Sequence, residues 1–295
     1  MNINFRCGFV SITGRPNVGK STLMNSFLGE KLSIISPKPQ TTRQSVKGIL
    51  SDENKQIIFL DTPGYVKPRY ELHEKMLYYI RESLLDTDLI LFITDVRTFP
   101  TDYDNEVLKI IDKIKIPKFA LLNKIDLVED DFLKEQTDKI SENSQFDKII
   151  PISAKHKTNL LELEEAVTSF MPLNPPYYNP DELSDLPMRF FVQEIIREKI
   201  FLNYSDEIPY SSTAVVESYK DFPNKSIIHA NIWIERKSQK PILIGKNGSM
   251  IKKIRLEAEK EIHGMTGKRV KLELWVKIKN DWRKKKNALK EFGYK

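Results

Sequence analysis

Short apolar runs alternate with helical stretches over the first 170 residues of the chain. Phe9–Thr13 (FVSIT), Gln56–Leu60 (QIIFL), Leu89–Thr94 (LILFIT), Phe119–Leu122 (FALL) and Ile149–Ile152 (IIPI) carry β-branched or aromatic residues and adjoin turn signals. This pattern predicts buried strands. Between them, Ser21–Leu28, His73–Leu85, Asn105–Ile114 and Leu160–Phe170 read as helices. Such alternation implies an α/β domain, a mostly parallel sheet with helices on both faces. Val46–Leu50 departs from the alternation: it precedes the polar turn Ser51–Lys55 and is expected to pair with Gln56–Leu60 as an antiparallel edge hairpin.

The pattern breaks at Met171–Pro180, where four of ten residues are proline. Neither a helix interior nor a central strand accepts that density of missing donors. The expected division is therefore a first domain over 1–171, a proline-rich linker over 172–187 and a second domain over 188–295. In the second domain Met188–Leu202 reads as a helix, Thr213–Tyr219 and Ile227–Glu235 as strands, and Ser249–Ile262 as an amphipathic helix. Arg269–Ile278 alternates apolar with charged residues and predicts a strand with one wet face. Asp281–Tyr294 is expected to be a short basic helix. The order α-β-β-α-β-α describes a compact α+β domain.

Composition fits two soluble globular domains: 295 residues, 40% hydrophobic and 30% charged. The single cysteine, Cys7, allows no intramolecular disulfide and reads as a core residue of the first strand, which suits a reducing, cytoplasmic setting. No stretch approaches the ~18 apolar residues of a membrane span, and Met1–Cys7 resembles neither a secretory leader nor an organelle import signal. Charge is unevenly spread. Residues 1–180 carry 23 basic and 25 acidic side chains, a net of −2; residues 181–295 carry 24 and 16, a net of +8; within 225–295 the count is 20 against 7, or +13. A near-neutral first part joined to a basic second part points to a polyanionic partner for the second.

Gly14, Arg15, Pro16, Asn17, Val18, Gly19, Lys20 and Ser21 fit G-x-x-x-x-G-K-[S/T], after a predicted strand and before a predicted helix that continues through Thr22. Such a loop folds its backbone N–H groups around phosphate, and the helix N-terminus adds partial positive charge. Lys20 reaches β/γ oxygens, and the Ser21 hydroxyl is a hard ligand for Mg²⁺. Asp61, Thr62, Pro63 and Gly64 follow the next strand: an Asp there can hold Mg²⁺ through water, and the Gly64 N–H can meet a γ-phosphate. Asn123, Lys124 and Asp126 follow a later strand. Asp126 offers two acceptors to guanine N1–H and the N2 amine, a donor pair that adenine lacks. Lys124 can cover the base plane, Asn123 can tie the base loop to the phosphate loop, and Ser153, Ala154 and Lys155 can offer a backbone N–H to guanine O6. These motifs, in order at strand ends, predict a GTP/GDP site at the carboxyl edge of the sheet.

In the basic part, Gly245, Lys246, Asn247 and Gly248 lie between a predicted strand and the amphipathic helix bearing Lys252 and Lys253. The glycines allow close approach of a nucleic-acid backbone, and the helix start favours phosphate. Ile242, Ile244 and Ile251 could wall a groove for unstacked bases. Arg283–Lys286 is a less specific cationic run, open to rRNA backbone, an anionic membrane surface or water. Trp233, Trp275 and Trp282 read as core or interface residues. His73, His156, His229 and His263 lack zinc-ligand spacing.

On these residues the chain resembles the translation-factor-related P-loop GTPases, most closely the ribosome-associated Era family. Gly14–Ser21, Asp61–Gly64, Asn123–Asp126 and Ser153–Lys155 correspond to that family's first, third, fourth and fifth guanine-nucleotide motifs. Pro39–Arg43 resembles its effector loop, with Thr42 the choice for a Mg²⁺ ligand and Thr41 the runner-up. Tyr65 stands where Ras-like enzymes carry a water-orienting glutamine. The resemblance therefore implies water positioned by backbone groups, with Lys20, Thr42 and Gly64 as the catalytic set and slow turnover. Asn17 resembles the asparagine of K⁺-activated relatives. Gly245–Gly248 resembles the GXXG loop of a KH domain, and the element order resembles the type II arrangement. Glu194–Lys199, Ile208–Ser211 and Leu272–Lys277 are further matches. The implied function is a monomeric GTPase that binds the 3′ end of 16S rRNA during small (30S) ribosomal subunit assembly and rRNA processing. A scaffold with negligible turnover and a membrane-associated signalling GTPase remain as competing classes.

Overall fold

A computed structural model of the chain describes residues 4–142 and 146–294. Its contacts divide into two units: residues up to Pro68 with Met76–Asp185, and Arg69–Lys75 with Leu186 onward.

The first unit runs β1 (Arg6–Thr13), α1 (Lys20–Leu28), β2 (Val46–Ser51), β3 (Lys55–Asp61), the part of α2 (Glu71–Ser83) from Met76 onward, β4 (Leu89–Asp95), α3 (Asp102–Ile111), β5 (Lys118–Asn123), α4 (Asp130–Glu142), β6 (Lys148–Ile152) and α5 (Leu160–Phe170). The sheet has the order β2-β3-β1-β4-β5-β6, and β2 is antiparallel to β3. All seven residues of β4 are buried, as expected for a central strand covered on both faces. Parallel register matters most for function. It sets Ile12 beside Asp61, Asp95 beside Asn123, and Asn123 beside Ile152. The strand ends that carry the motifs therefore meet along one edge.

The helix α4 has no counterpart among the expected elements. Only Gln136 and Ile140 are buried among its described side chains, so its apolar stripe is too thin to register as periodicity. The proline-rich residues 172–185 pack along the sheet. The Ile49 N–H donates to the Leu183 carbonyl at 2.9 Å, and the Ser184 hydroxyl donates to the Lys47 carbonyl at 2.6 Å. Gln56 Oε1 accepts from the Tyr177 and Tyr178 amides at 2.8 and 3.0 Å. This strap covers the edge strand β2, whose unpaired groups would otherwise invite another strand.

The second unit contains α6 (Met188–Asn203), α7 (Ile208–Ser211), β7 (Thr213–Asp221), β8 (Lys225–Ile234), α8 (Gln239–Ile244), α9 (Ser249–Thr266), β9 (Arg269–Ile278) and α10 (Lys286–Glu291). Its sheet has the order β7-β8-β9, with β7 antiparallel and β9 parallel to β8. Val192, Ile196 and Ile200 of α6 and Ile254, Ala258 and Ile262 of α9 share one core with Ile228, Ala230 and Ile232 of β8. Two expectations need correction. The glycine loop does not follow a strand directly: the short helix α8 lies between β8 and Gly245, and so brief an apolar run does not announce it. The C-terminal stretch is not one helix: Lys285 is extended (φ −114°, ψ 111°), separating a 3-10 turn at Trp282–Lys284 from α10. No helix among the described residues is long and apolar enough to cross a membrane.

Candidate nucleotide and nucleic-acid sites

The edge where β1, β3, β5 and β6 end opens into a cavity of about 950 Å³. Arg15, Pro16, Asn17, Gly19, Lys20, Ser21, Thr22, Thr42, Gly64, Asn123, Lys124, Asp126, Ser153, Ala154 and Lys155 line it. Val18 and Thr62 do not: Val18 is buried beneath the loop, and the Thr62 hydroxyl donates to the Ile12 carbonyl at 2.8 Å, tying β3 to β1.

Lys20 is buried at the start of α1, its Nζ donating to the Gly14 and Arg15 carbonyls at 3.1 and 2.9 Å. Burial lowers its pKa to about 8, with Asp61 pulling the other way. A buried ammonium held only by neutral carbonyls favours an anion such as phosphate. Three hard oxygens gather beside it. Ser21 Oγ lies 2.7 Å from Asp61 Oδ2 and 3.0 Å from Thr42 Oγ1. Asp61 is fully buried, burial pushes its carboxyl up, and its Oδ1 has no hydrogen-bond partner. Two hydroxyls and an under-satisfied buried carboxylate fit a Mg²⁺ ion, which takes oxygen ligands and retains waters. Gly64 closes in from the other side: a Cβ there would stand 2.7 Å from the Pro16 backbone, so only glycine permits the approach.

The base loops are cross-braced. Asn123 Nδ2 donates to the Val18 carbonyl at 2.6 Å, and Asn123 Oδ1 accepts from the Ala154 amide at 2.9 Å. Asp126 Oδ1 accepts from the Ser153 hydroxyl at 2.6 Å. Asn123 thus ties both loops together, and the Ala154 amide is engaged with it. Arg15 braces the phosphate loop against the β4–α3 region: its Nε donates to Asp104 at 3.2 Å and its Nη2 to Thr98.

Tyr65 is buried. It packs with Leu77, Ile80 and Phe92, its ring edge-on to Tyr103 at 6.2 Å, while its amide donates to the Gly14 carbonyl at 3.2 Å. Its side chain is therefore spent on the core. Ile35 and Leu127, both well exposed, add apolar walls to the cavity, and Asp95, Arg97 and Thr98 add a rim from the β4–α3 loop. No sequence motif marks these five; a leucine directly after the base motif is the one signal the sequence offers.

In the second unit, Gly245–Gly248 links α8 to α9 through a 3-10 turn at Lys246–Gly248. Gly245 has φ 74°, and a Cβ there would strike Met250 at 2.6 Å. Gly248 has φ 75° and nothing within 4 Å of its Cβ position, so this side of the loop is open to an incoming backbone. Lys246, Asn247, Lys252 and Lys253 are exposed around it, while Ile244 and Ile251 pack against the core. Arg283 does not belong to a free cationic run: its Nη2 donates to Glu235 Oε2 at 2.5 Å, and Glu235 is buried. Trp282 is fully buried, its indole N–H donating to the Ser211 carbonyl at 2.9 Å, whereas Trp275 is 46% exposed and is not a core residue.

Residues 9–124 match the family of 50S ribosome-binding GTPases, and residues 207–283 match the KH domain family. The chain is 43% identical to GTPase Era of Heliobacterium modesticaldum over 98% of this chain and 97% of that one. It is 41% identical to GTPase Era of Alkaliphilus metalliredigens over 99% and 100%. Its structure superposes with a TM-score of 0.96, at 37% identity, on Era in complex with MgGDPNP and nucleotides 1506–1542 of 16S ribosomal RNA, covering 98% of this chain and 99% of that one. An Aquifex aeolicus Era variant bound to GDP·AlF4⁻ gives the same score, identity and coverage. With a nucleotide edge and a KH unit in one chain, and relatives matched end to end, the protein belongs to the GTPase Era family.

Proposed function

We propose that the protein is a cytoplasmic, monomeric GTPase that binds single-stranded rRNA near the 3′ end of 16S rRNA and acts in small-subunit assembly. The carrying observation is the meeting of Lys20, the Ser21–Asp61–Thr42 oxygens and the Asn123–Asp126 base loop at one sheet edge, in a chain that also presents an open glycine loop among exposed lysines. The Era relative bound to MgGDPNP and 16S nucleotides supports both the cofactor and the RNA.

Ser21, Thr42 and Asp61 would hold Mg²⁺, with Asp61 acting through water; the 3.0 Å approach of Thr42 to Ser21 favours Thr42 over Thr41. Bound there, Mg²⁺ neutralises charge on the β- and γ-phosphates. Lys20 would add a second positive charge on the same oxygens, and the Gly64 N–H would meet the γ-phosphate. With Tyr65 in the core, attacking water is oriented by backbone groups, which suits slow turnover. Asn17 donates its side-chain amide to the Pro37 carbonyl at 2.7 Å, which puts it against the loop that would share a K⁺ ion with it. Loss of the γ-phosphate releases the loops around Thr42 and Gly64.

Single-turnover hydrolysis of GTP with Mg²⁺, with and without a 16S 3′-end oligonucleotide, tests this. Cleavage on both arms is expected, and RNA binding is expected to need an intact Gly245–Gly248 loop. Nucleotide binding without measurable cleavage would support the scaffold reading. The membrane reading is weakened by the pairing of Arg283 with Glu235.

A further inference from the structure

The ammonium of Lys124 is held from two sides. Its Nζ donates to the Asn17 carbonyl of the phosphate loop at 2.7 Å and to Asp95 Oδ2 at 2.8 Å. Asp95 ends β4, where the sheet register sets it beside Asn123. Its carboxylate is also gripped by Arg97, whose Nε reaches Oδ1 at 2.9 Å and whose Nη2 reaches Oδ2 at 2.7 Å. Burial alone pushes the Asp95 carboxyl up. Hydrogen bonds from Arg97 and Lys124, with the charge of Lys124, outweigh burial and hold it well below the usual carboxylate range. The acid therefore stays ionised while only 4% exposed.

Lys124 needs such a partner. Its backbone is left-handed (φ 71°), so no regular strand geometry aims its side chain. A free lysine stem samples many rotamers, and ordering it over a base costs binding free energy. A fixed carboxylate removes that cost before the nucleotide arrives.

We propose that Asp95 is a positioning residue for guanine-nucleotide binding: it holds the Lys124 ammonium against the Asn17 carbonyl, so the lysine stem is set as a platform for the base and the base loop is locked to the phosphate loop. Arg97 keeps the carboxylate in place. Asp95 lies in no guanine-nucleotide motif, although it stands on the rim of the same cavity. The inference rests on reading Asn123–Asp126 as the base site.

The test is GDP binding and release by fluorescent nucleotide on the full chain, for Asp95→Asn, Lys124→Ala and the double variant. Asp95→Asn keeps the side-chain shape and removes the charge. It is expected to weaken GDP about tenfold, mainly through faster release, with kcat at saturating GTP within about twofold. In the Lys124→Ala background it should cost nothing further, because its effect passes through Lys124. Equal losses in both backgrounds, or wild-type affinity in Asp95→Asn, would overturn the proposal. Should Asp95→Asn misfold, Arg97→Ala replaces it, with a smaller loss expected that likewise vanishes beside Lys124→Ala. Asp126→Asn is the control for the underlying reading and should shift preference from GTP to XTP. If that shift occurs and Asp95→Asn binds normally, only the positioning role fails; if it does not occur, the base-site reading itself fails.

Discussion

The nucleotide edge and the glycine loop of the KH unit both attract phosphate, and they do it in opposite ways. At the nucleotide edge the charged groups are buried and braced: Lys20, Asp61, Asp95 and Asp104 are each at most 6% exposed. Around Gly245–Gly248 the lysines are exposed, and the open side of Gly248 faces no protein atom within 4 Å. Buried, pre-set groups discriminate, because a wrong ligand leaves them unpaired. Exposed lysines attract any polyanion and do so through counterion release, which salt erodes. Hydrolysis should therefore be sensitive to single atoms and tolerant of salt, and RNA binding the reverse.

The sharpest break of that contrast is Lys20→Ala. Losing a buried cation aimed at the β- and γ-oxygens should lower single-turnover GTP hydrolysis by at least about a hundredfold. RNA binding in the absence of nucleotide should not change. Next in size is the glycine loop: Lys246→Asp with Asn247→Asp, both at exposed positions, should weaken binding of a 16S 3′-end oligonucleotide about ten- to hundredfold. Basal GTP hydrolysis should stay at the wild-type rate. Loss of hydrolysis in the loop variant would mean that the two sites are not separable as argued.

A third effect sits between the two regimes. Asn17 lies in the braced loop, yet its side chain reaches out to the Pro37 carbonyl. If K⁺ binds there, KCl should accelerate hydrolysis about tenfold over NaCl, well below the 10³–10⁵ of an arginine finger. Equal rates in the two salts would remove Asn17 from the catalytic environment, and Asn17→Ala should abolish any difference that is seen.

The same contrast explains what could be read from sequence. The nucleotide motifs were legible because each sits at a strand end, and strands with β-branched cores announce themselves; β9 was read to its observed limits for that reason. The meeting of Ser21, Thr42 and Asp61 needs the parallel register, so spacing alone left Thr41 and Thr42 open. Asp95 and Arg97 were invisible because their work is contact between elements, with no motif to mark it. The short helix α8 left no sequence signal because Ile242–Ile244 is too brief to carry a period, and only packing of Leu243 into the core fixes it. The burial of Tyr65 is equally silent in sequence: its neighbours along the chain are loop residues, but the loop turns it inward against Leu77, Ile80 and Phe92.

The smallest expected effect concerns the cationic run at Arg283–Lys286, and the structure divides it. Lys284 and Lys286 are largely exposed, and the Lys284–Asp281 pair at 2.9 Å is a surface pair worth little. These lysines can exchange their partners for phosphate at low cost. Replacing Lys284, Lys285 and Lys286 by Ala should flatten the plot of log affinity against log salt by about 0.7 for each one that touches single-stranded RNA. Arg283 belongs to the braced class although it lies beside them in sequence. Its guanidinium is committed to the buried Glu235, so Arg283→Ala leaves that carboxylate without its cation and should cost about 2 kcal/mol of stability. The salt slope should not move. A slope change for Arg283→Ala at unchanged melting temperature would place this arginine with the RNA-facing lysines, and the division between braced and adaptable charge would then fail inside four consecutive residues.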